Sequence, residues 1–439
     1  MENNKEKIFL TEAEKVGKPR DLFFIWFAAN MGILGIVYGA IIIGYGLSFT
    51  QSLLVAILGP LSFALVGYAS LAGRDSGAVT FVLSRAAYGF KGNHIPALIG
   101  WVGQVGWLSV NVSTGTLTLL ALFSAFGIET NTMLIIISLA IFAGLVILSI
   151  FFSQDTLVKI QTFFTYVFGA LTLLVIAMLI PETDWQALFA MESGPWLTGF
   201  LPALAFVVVG TGLTWTNASA DYSRFQKREN KSSAIIGNVT LGAFIPLFII
   251  IGTGILLATA APELTSAENP IILISNILPE WMTIIYLFAA LGGLTPMCFI
   301  GLKSSRLIMG TFNIQMKDST AISIHAIIII LIPLYVLVVS KDFLGYFEAF
   351  LGLLGIGLAA WVSIFIVDYI FLRRKQGYEP RLLEDSQYNA INVGGVVSWI
   401  IGVVVGLLLV IFSSTSFDMV VTFLISGTLY YITNVLRKK

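Results

Sequence analysis

One cysteine, two histidines, and 24 basic and 24 acidic residues in 439 leave this chain short of the usual raw material of chemistry. The lone Cys298 excludes an internal disulfide. His94 and His325 are far apart in sequence and single, which leaves a metal or proton-relay site without a second imidazole. Zinc-ligand spacing, a nucleotide-binding loop, a nucleophile elbow and an HExxH pattern are all missing. An enzyme is therefore not expected, nor a cofactor or a nucleic-acid partner. The charged fraction, 11%, is well below the roughly 25% of soluble domains, and the formal net charge of zero names no partner by itself. The first 20 residues, polar and charged, carry no signal-peptide pattern.

What fills the chain instead is apolar. Hydrophobic residues make up 57%, glycines number 41, and mean hydropathy is +0.92. Apolar runs of about 20 residues, long enough to cross about 30 Å of hydrocarbon as helix, recur throughout and exclude a barrel of short alternating strands. We read spans near 21–46, 51–72, 96–124, 131–153, 158–180, 197–219, 233–259, 282–303, 320–340, 345–371, 391–413 and 417–435. The expectation is an all-α integral membrane protein of about twelve helices in the lipid bilayer.

Charge distribution orients it. With an even span count, one side collects Arg20, Arg74, Arg85, Lys91, Arg224, Lys231, Arg306, Arg373, Arg374 and Lys375, among others. On the opposite side stands Lys341, with Glu129, Glu182, Asp184, Glu192, Glu263, Glu268, Glu280 and Asp418. Basic residues stay inside, so both termini are expected in the cytoplasm, with the protein in the cytoplasmic membrane.

Two spans carry helix-loosening residues at corresponding places: NMGILGIVYG (30–39) in the first and GTGLTWTNAS (210–219) in the sixth. Broken helices expose backbone carbonyls and N–H groups as ligands, at membrane depth only where they face protein or a cavity. The alternative is that these glycines simply permit close helix packing.

The stretch GQVGWLSVN (103–111) puts Gln104, Trp107 and Asn111 on one helical stripe, continued by Thr114. An unsatisfied amide in hydrocarbon costs several kcal/mol, so the stripe faces protein or water. It suits either interhelical hydrogen bonding or a flat aromatic plate with two amides beside it, able to stack a planar heterocycle and read its edge. Span six adds Thr211, Thr214, Trp215, Thr216, Asn217 and Ser219. Asp221, Arg224 and Asp368, at span ends, read as caps or ion pairs, and Lys303 as a snorkelling cation.

Several stretches together resemble the nucleobase-cation-symport-1 family, the purine/cytosine permeases: WFAAN (26–30), SRAAYGFKGN (84–93), GQVGW (103–107), WTNASADYSRF (215–225) and VDYIFLRRKQGY (367–378). Their order and spacing carry the resemblance, from about residue 20 to 415. It implies ten core helices in two inverted five-helix, LeuT-like repeats (about 21–180 and 197–371, within a core of 21–375). It further implies a tail over 1–20, a loop over 376–390 and two peripheral helices over 391–435. It also implies that spans one and six are the broken pair.

By the same resemblance, Trp107 is a stacking plate, Gln104 an edge reader, Asn111 a polar contact and Trp215 a second aromatic. Thr211 and Cys298 join this substrate set. Gly212 stands where other branches place a bulky aromatic, which implies a reshaped wall. Where the family binds sodium, the matching positions are Ala29 and Gly32, whose carbonyls are hard oxygen ligands, and Thr295. Span eight departs, with Cys298 and Gly301 at the usual asparagine positions and Pro296 and Met297 near the usual hydroxyls. The coupling ion is left open between sodium and a proton.

The expected function is a secondary active symporter importing a nucleobase such as cytosine or a purine. Another planar cargo, such as hydroxymethylpyrimidine, a hydantoin or allantoin, is the alternative. A channel or a non-transporting membrane sensor is the less favoured alternative; for a channel, the polar residues cluster at mid-depth in spans three and six instead of lining a continuous path.

Overall fold

The computed structural model describes residues 9–32, 34–265, 270–314, 316–340, 342–412 and 417–436. Every apolar run read from the sequence forms helix. Helix α1 is split into Pro19–Ala29 and Leu34–Gly44. There follow α2 (Phe49–Ser76), α3 (His94–Ala125), α4 (Thr132–Phe151), α5 (Gln154–Glu182), α6 (Trp196–Ser223), α7 (Ser232–Leu257), α8 (Glu280–Gly310) and α9 (Asp318–Ser340). The last three are α10 (Phe343–Asp368), α11 (Val393–Phe412) and α12 (Asp418–Tyr430), with α10 and α12 prolonged by π-helical turns. Among the described residues, ten helices are long and apolar enough to cross a bilayer. The split leaves each half of α1 short of that length.

Both expected breaks are present, each with a local cause. At the end of the first half of α1, Asn30 leaves helical geometry (φ −120°, ψ 13°), and its side-chain N–H donates to the Trp26 carbonyl at 2.8 Å. This satisfies one of the carbonyls that a helix end leaves unpaired. Helix α6 underwinds and then overwinds: a π segment at Val209–Leu213, a 3₁₀ turn at Thr216–Ala218, then α-helix over Ser219–Ser223. Such interruptions mark a ladder disturbed by local packing or function. Helix α2 bends where Pro60 sits inside the helix and Ser62 joins its two parts.

The helices sort into layers. The two halves of α1 pack with α2, α6 and α7 as a bundle, and α3 packs most extensively on α8, with α4 and α9 completing a scaffold. Helix α5 bridges α1 and α8, while α10 lies between the scaffold and the pair α11 and α12. Lipid removes the hydrophobic drive between helices, so dispersion at close contacts and side-chain hydrogen bonds hold these layers. Asp368 on α10 illustrates the second term: it accepts from Tyr430 of α12 at 2.7 Å and from Arg373 at 3.1 Å, all three being buried.

The first and last described residues lie at one end of the molecule. Residues 9–18 are laced across the ends of α2 and the α6–α7 loop and do not hang free. Leu10 N–H donates to Gly77 O at 3.0 Å, Gly17 N–H to Phe225 O at 2.8 Å, and the buried Lys15 ammonium to Arg74 O at 3.0 Å. Near α12's end, Asn434 lies against Gly394 at the start of α11, and Asn392 N–H donates to Tyr88 O at 2.9 Å. Arg74, Arg85, Lys91 and Lys231 gather at this end. Lys159, at the start of α5, joins them. Lys341, Glu268, Lys5, Lys7 and Arg437 lie outside the described residues.

Candidate substrate site

Helix α3 presents its polar stripe between α8, α10 and the bundle. Gln104 is 1% exposed and Asn111 2%, while Trp107 is half-buried. The indole of Trp107 meets the rings of Phe347 and Phe350 on α10 edge to face, at centroid distances of 5.7 and 5.8 Å. Phe347 in turn contacts Tyr38 on α1 and Phe206 on α6, an aromatic cluster over one side of the stripe. So the indole faces protein, not lipid.

Two polar atoms on this stripe are buried without a partner among the described residues: Trp107 Nε1, a donor, and Asn111 Oδ1, an acceptor. They are one helical turn apart. Most buried polar atoms in folded proteins are paired, and the exceptions call for an explanation in ligand, water or function. Gln104, by contrast, is engaged: its Nε2 donates to Asn217 Oδ1 in the 3₁₀ break of α6 at 2.5 Å. Asn217 belongs to the polar run of span six, whose spacing gives no sign of this bond.

Helix α8 reaches the stripe through Gly301, where a Cβ would lie 3.4 Å from Leu108 and 3.7 Å from Gln104 Oε1. Cys298 is fully buried, and no hydrogen bond links it to Gln104, Trp107 or Asn111 among the described residues. Gly301, therefore, flanks Gln104.

Thr211 and Gly212 face elsewhere than expected. Thr211 Oγ1 donates to Val207 O at 2.6 Å and lies 3.3 Å from Ser62 Oγ of α2, and Gly212 N–H donates to the same hydroxyl at 3.2 Å. A Cβ on Gly212 would sit 2.3 Å from the Ser62 carbonyl carbon. The bend of α2 thus fills the space in which a side chain at 212 would stand. The expectation that glycine here reshapes a wall of the substrate site is corrected: it lets α2 and α6 touch. Trp215 packs edge to face on Trp26 of α1 at 5.5 Å, inside the bundle.

The residues expected as cation ligands lie on the broken helix α1 and on α8. Ala29 and Gly32 border the α1 break, and Gly32 faces α8 with Met297 Cε 3.4 Å from its absent Cβ. Met31 O lies 2.5 Å from the Cβ position of Gly293, so broken helix and α8 meet closely. Thr295 donates its hydroxyl to Leu291 O at 2.7 Å, which leaves its lone pairs as acceptors. Carbonyls and one hydroxyl are hard donors, as a small cation requires, but Pro296 and Met297 add no side-chain oxygen.

The span-end residues have structural partners. Asp221 Oδ1 accepts from Thr80 N–H and Oγ1 at 3.0 and 2.9 Å, tying α6 to the short helix Thr80–Leu83. Lys303 reaches Gln154 Oε1 of α5 at 3.0 Å. His325 accepts from Trp101 Nε1 at 3.2 Å, with its Nδ1 2.8 Å from Ala321 O, which fixes the neutral ring with hydrogen on Nδ1. A cavity of about 390 Å³ lies apart, lined by Leu117, Asn131, Ile272 and Phe343.

Residues 9–432 match the family of permeases for cytosine/purines, uracil, thiamine and allantoin. The chain belongs to this family, the nucleobase-cation-symport-1 permeases. It is a multi-pass membrane transporter and not an enzyme. It is 26% identical over 428 residues to the YxlA protein of Bacillus subtilis, assigned to the purine-cytosine permeases, covering 93% of this chain and 88% of that one. Against the purine-cytosine permease FCY2 of Saccharomyces cerevisiae the identity is 24% over 401 residues, covering 86% and 73%. Among solved structures, the nucleobase-cation-symport-1 transporter Mhp1, closed with bromovinylhydantoin bound, superposes with a TM-score of 0.79 at 18% identity over 99% of this chain and 95% of that one. MhsT in complex with L-phenylalanine gives 0.60 at 14% identity, over 92% and 98%. The fold is therefore the LeuT-like arrangement that the sequence resemblance implied.

Proposed function

We propose that this permease is a cation-coupled symporter that imports a nucleobase, such as cytosine or a purine, across the cytoplasmic membrane with both termini inside. The observation that carries the reading is the pair Trp107 Nε1 and Asn111 Oδ1, a buried donor and acceptor one turn apart beside an indole face. A planar heterocycle stacked on that face supplies the complementary donor to Asn111 Oδ1 from an exocyclic amino group or ring N–H, while the Trp107 N–H, which lies in the plane of the indole, is left to a group beside the ring edge. Base–aromatic stacking contributes about 1–3 kcal/mol. The orientation rests on the basic residues gathered at the end bearing the termini.

Transport follows if the ligand favours the closed arrangement over the open ones, since binding shifts a conformational equilibrium by its differential affinity alone. The aromatic cluster of Tyr38, Phe206 and Phe347 closes one side of the stripe, and the ties of α6 to α8 and to Thr80 close the other. Ala29, Gly32 and Thr295 are the residues to hold a coupling sodium; a proton is the other candidate ion.

Uptake into proteoliposomes tests the reading. Radiolabelled cytosine or adenine should accumulate above the external concentration when an inward sodium or proton gradient is imposed, and the gradient that drives it names the ion. Equilibration without accumulation under either gradient would exclude symport.

A further inference from the structure

Gln104 meets Asn217, and Asn217 in turn meets a backbone carbonyl. Asn217 Nδ2 donates to Gly100 O of α3 at 3.5 Å, while its Oδ1 accepts from Gln104 Nε2 at 2.5 Å. A carbonyl oxygen can only accept, so Gly100 turns the NH₂ of Asn217 toward α3 and leaves its oxygen for Gln104. That oxygen also can only accept, so the NH₂ of Gln104 is turned toward Asn217. Each carboxamide has one way round, set by its neighbour, and what remains is Gln104 Oε1. It accepts no hydrogen bond among the described residues and lies beside Gly301, where the absent side chain leaves its flank uncovered.

We infer that Asn217 is a positioning residue that fixes the hydrogen-bond polarity of the substrate site, so that Gln104 turns its carbonyl oxygen to the exocyclic group of the ligand and selects nucleobases with an exocyclic amino group over their oxo counterparts. This rests on the proposed nucleobase function. A free glutamine reads adenine with both arms, oxygen to the amino group and NH₂ to a ring nitrogen. Here one N–H of the carboxamide is committed to α6, so the end of it that meets the exocyclic group is set. An oxo group in the place of the amine puts two acceptors face to face in a dry site, and a site with fixed polarity rejects such an analogue strongly. The bond also crosses from scaffold helix α3 to bundle helix α6, so polarity is set only when the two layers are together.

The test is the ratio of affinities within isosteric pairs, cytosine against uracil and adenine against hypoxanthine, measured by equilibrium binding to the purified protein. For the unaltered protein the amino member should bind at least tenfold tighter in both pairs. Asn217→Leu releases Gln104 to turn its NH₂ toward the ligand, and the ratio should fall to about threefold or less through a gain in oxo binding, which mere damage to the fold does not produce. Asn217→Asp keeps an acceptor oxygen toward Gln104 Nε2 and should keep the preference. No preference in the unaltered protein, which needs no variant, overturns the inference, as does an unchanged ratio in Asn217→Leu. Failure of all four bases to bind overturns the nucleobase reading itself, a result distinct from binding without preference.

Discussion

Tyr222 on α6 donates its hydroxyl hydrogen to the carbonyl of Ile300 on α8 at 2.5 Å and accepts from Ser304 one turn further at 3.2 Å, joining bundle to scaffold near the end that carries the termini. All three residues are buried. Bundle and scaffold cannot separate at this end without breaking these bonds.

Tyr222→Phe should therefore shift the protein toward a state open at that end. A hydrogen bond contributes about 0.5–1.5 kcal/mol, so the shift should be of the order of three- to tenfold in population. Thiol labelling of Ser304→Cys in a Cys298→Ala background reads it: labelling from the side of the termini should speed up by that factor when Tyr222→Phe is added. An unchanged rate means that the bond does not hold the end closed.

Two glycines should separate folding from binding. Gly212→Ala drives a methyl group to 2.3 Å from the α2 backbone at Ser62, and overpacking of this kind costs about 1–3 kcal/mol or more. Lower thermal stability and yield are expected. Gly301→Ala meets only ordinary contacts, 3.4 Å to Leu108 and 3.7 Å to Gln104 Oε1. It should fold normally and weaken nucleobase binding by covering that oxygen. If Gly212→Ala is as stable as the parent, the close approach of α2 and α6 is not as described.

Arg85, in the loop between α2 and α3, should prove a stability residue. Its guanidinium donates to Leu383 O and Thr311 O, both at 2.7 Å, and stacks over Phe90 at 4.1 Å. Burial pulls its pKa down to about 10, with Glu384 opposing the shift. At neutral pH it still carries charge, and it bonds two carbonyls from the ends of α8 and the α10–α11 loop. Arg85→Ala should lower stability by about 2–4 kcal/mol, read by thermal unfolding in detergent, with nucleobase affinity in the folded fraction unchanged.

Much of this was legible in the chain. Apolar runs place the long helices, because crossing a bilayer needs a length that sequence displays directly. The loosened stretches at 30–39 and 210–219 mark both breaks, since Asn30 and the glycines about 210 announce a backbone leaving the helix. Spacing alone puts Gln104, Trp107 and Asn111 on one stripe. What spacing cannot show is which neighbour each residue meets. Gly212 reads as an open wall until α2 is seen bent into it at Ser62, and the π turn at Val209–Leu213 moves Thr211 onto that contact. The Gln104–Asn217 bond joins residues 113 apart. Gly301 borders Gln104, a contact that depends on the rotation of α8, 31 residues long, against α3.

The central claim is that a flat ring stacks on the indole of Trp107. Equilibrium binding of radiolabelled cytosine and adenine to the purified protein tests it directly, with Trp107→Ala and Trp107→Phe compared with the parent. Loss of stacking worth about 1–3 kcal/mol predicts affinity weakened roughly 5- to 150-fold by alanine and largely retained by phenylalanine, with both variants folded. Binding by Trp107→Ala at the parent affinity would contradict the account.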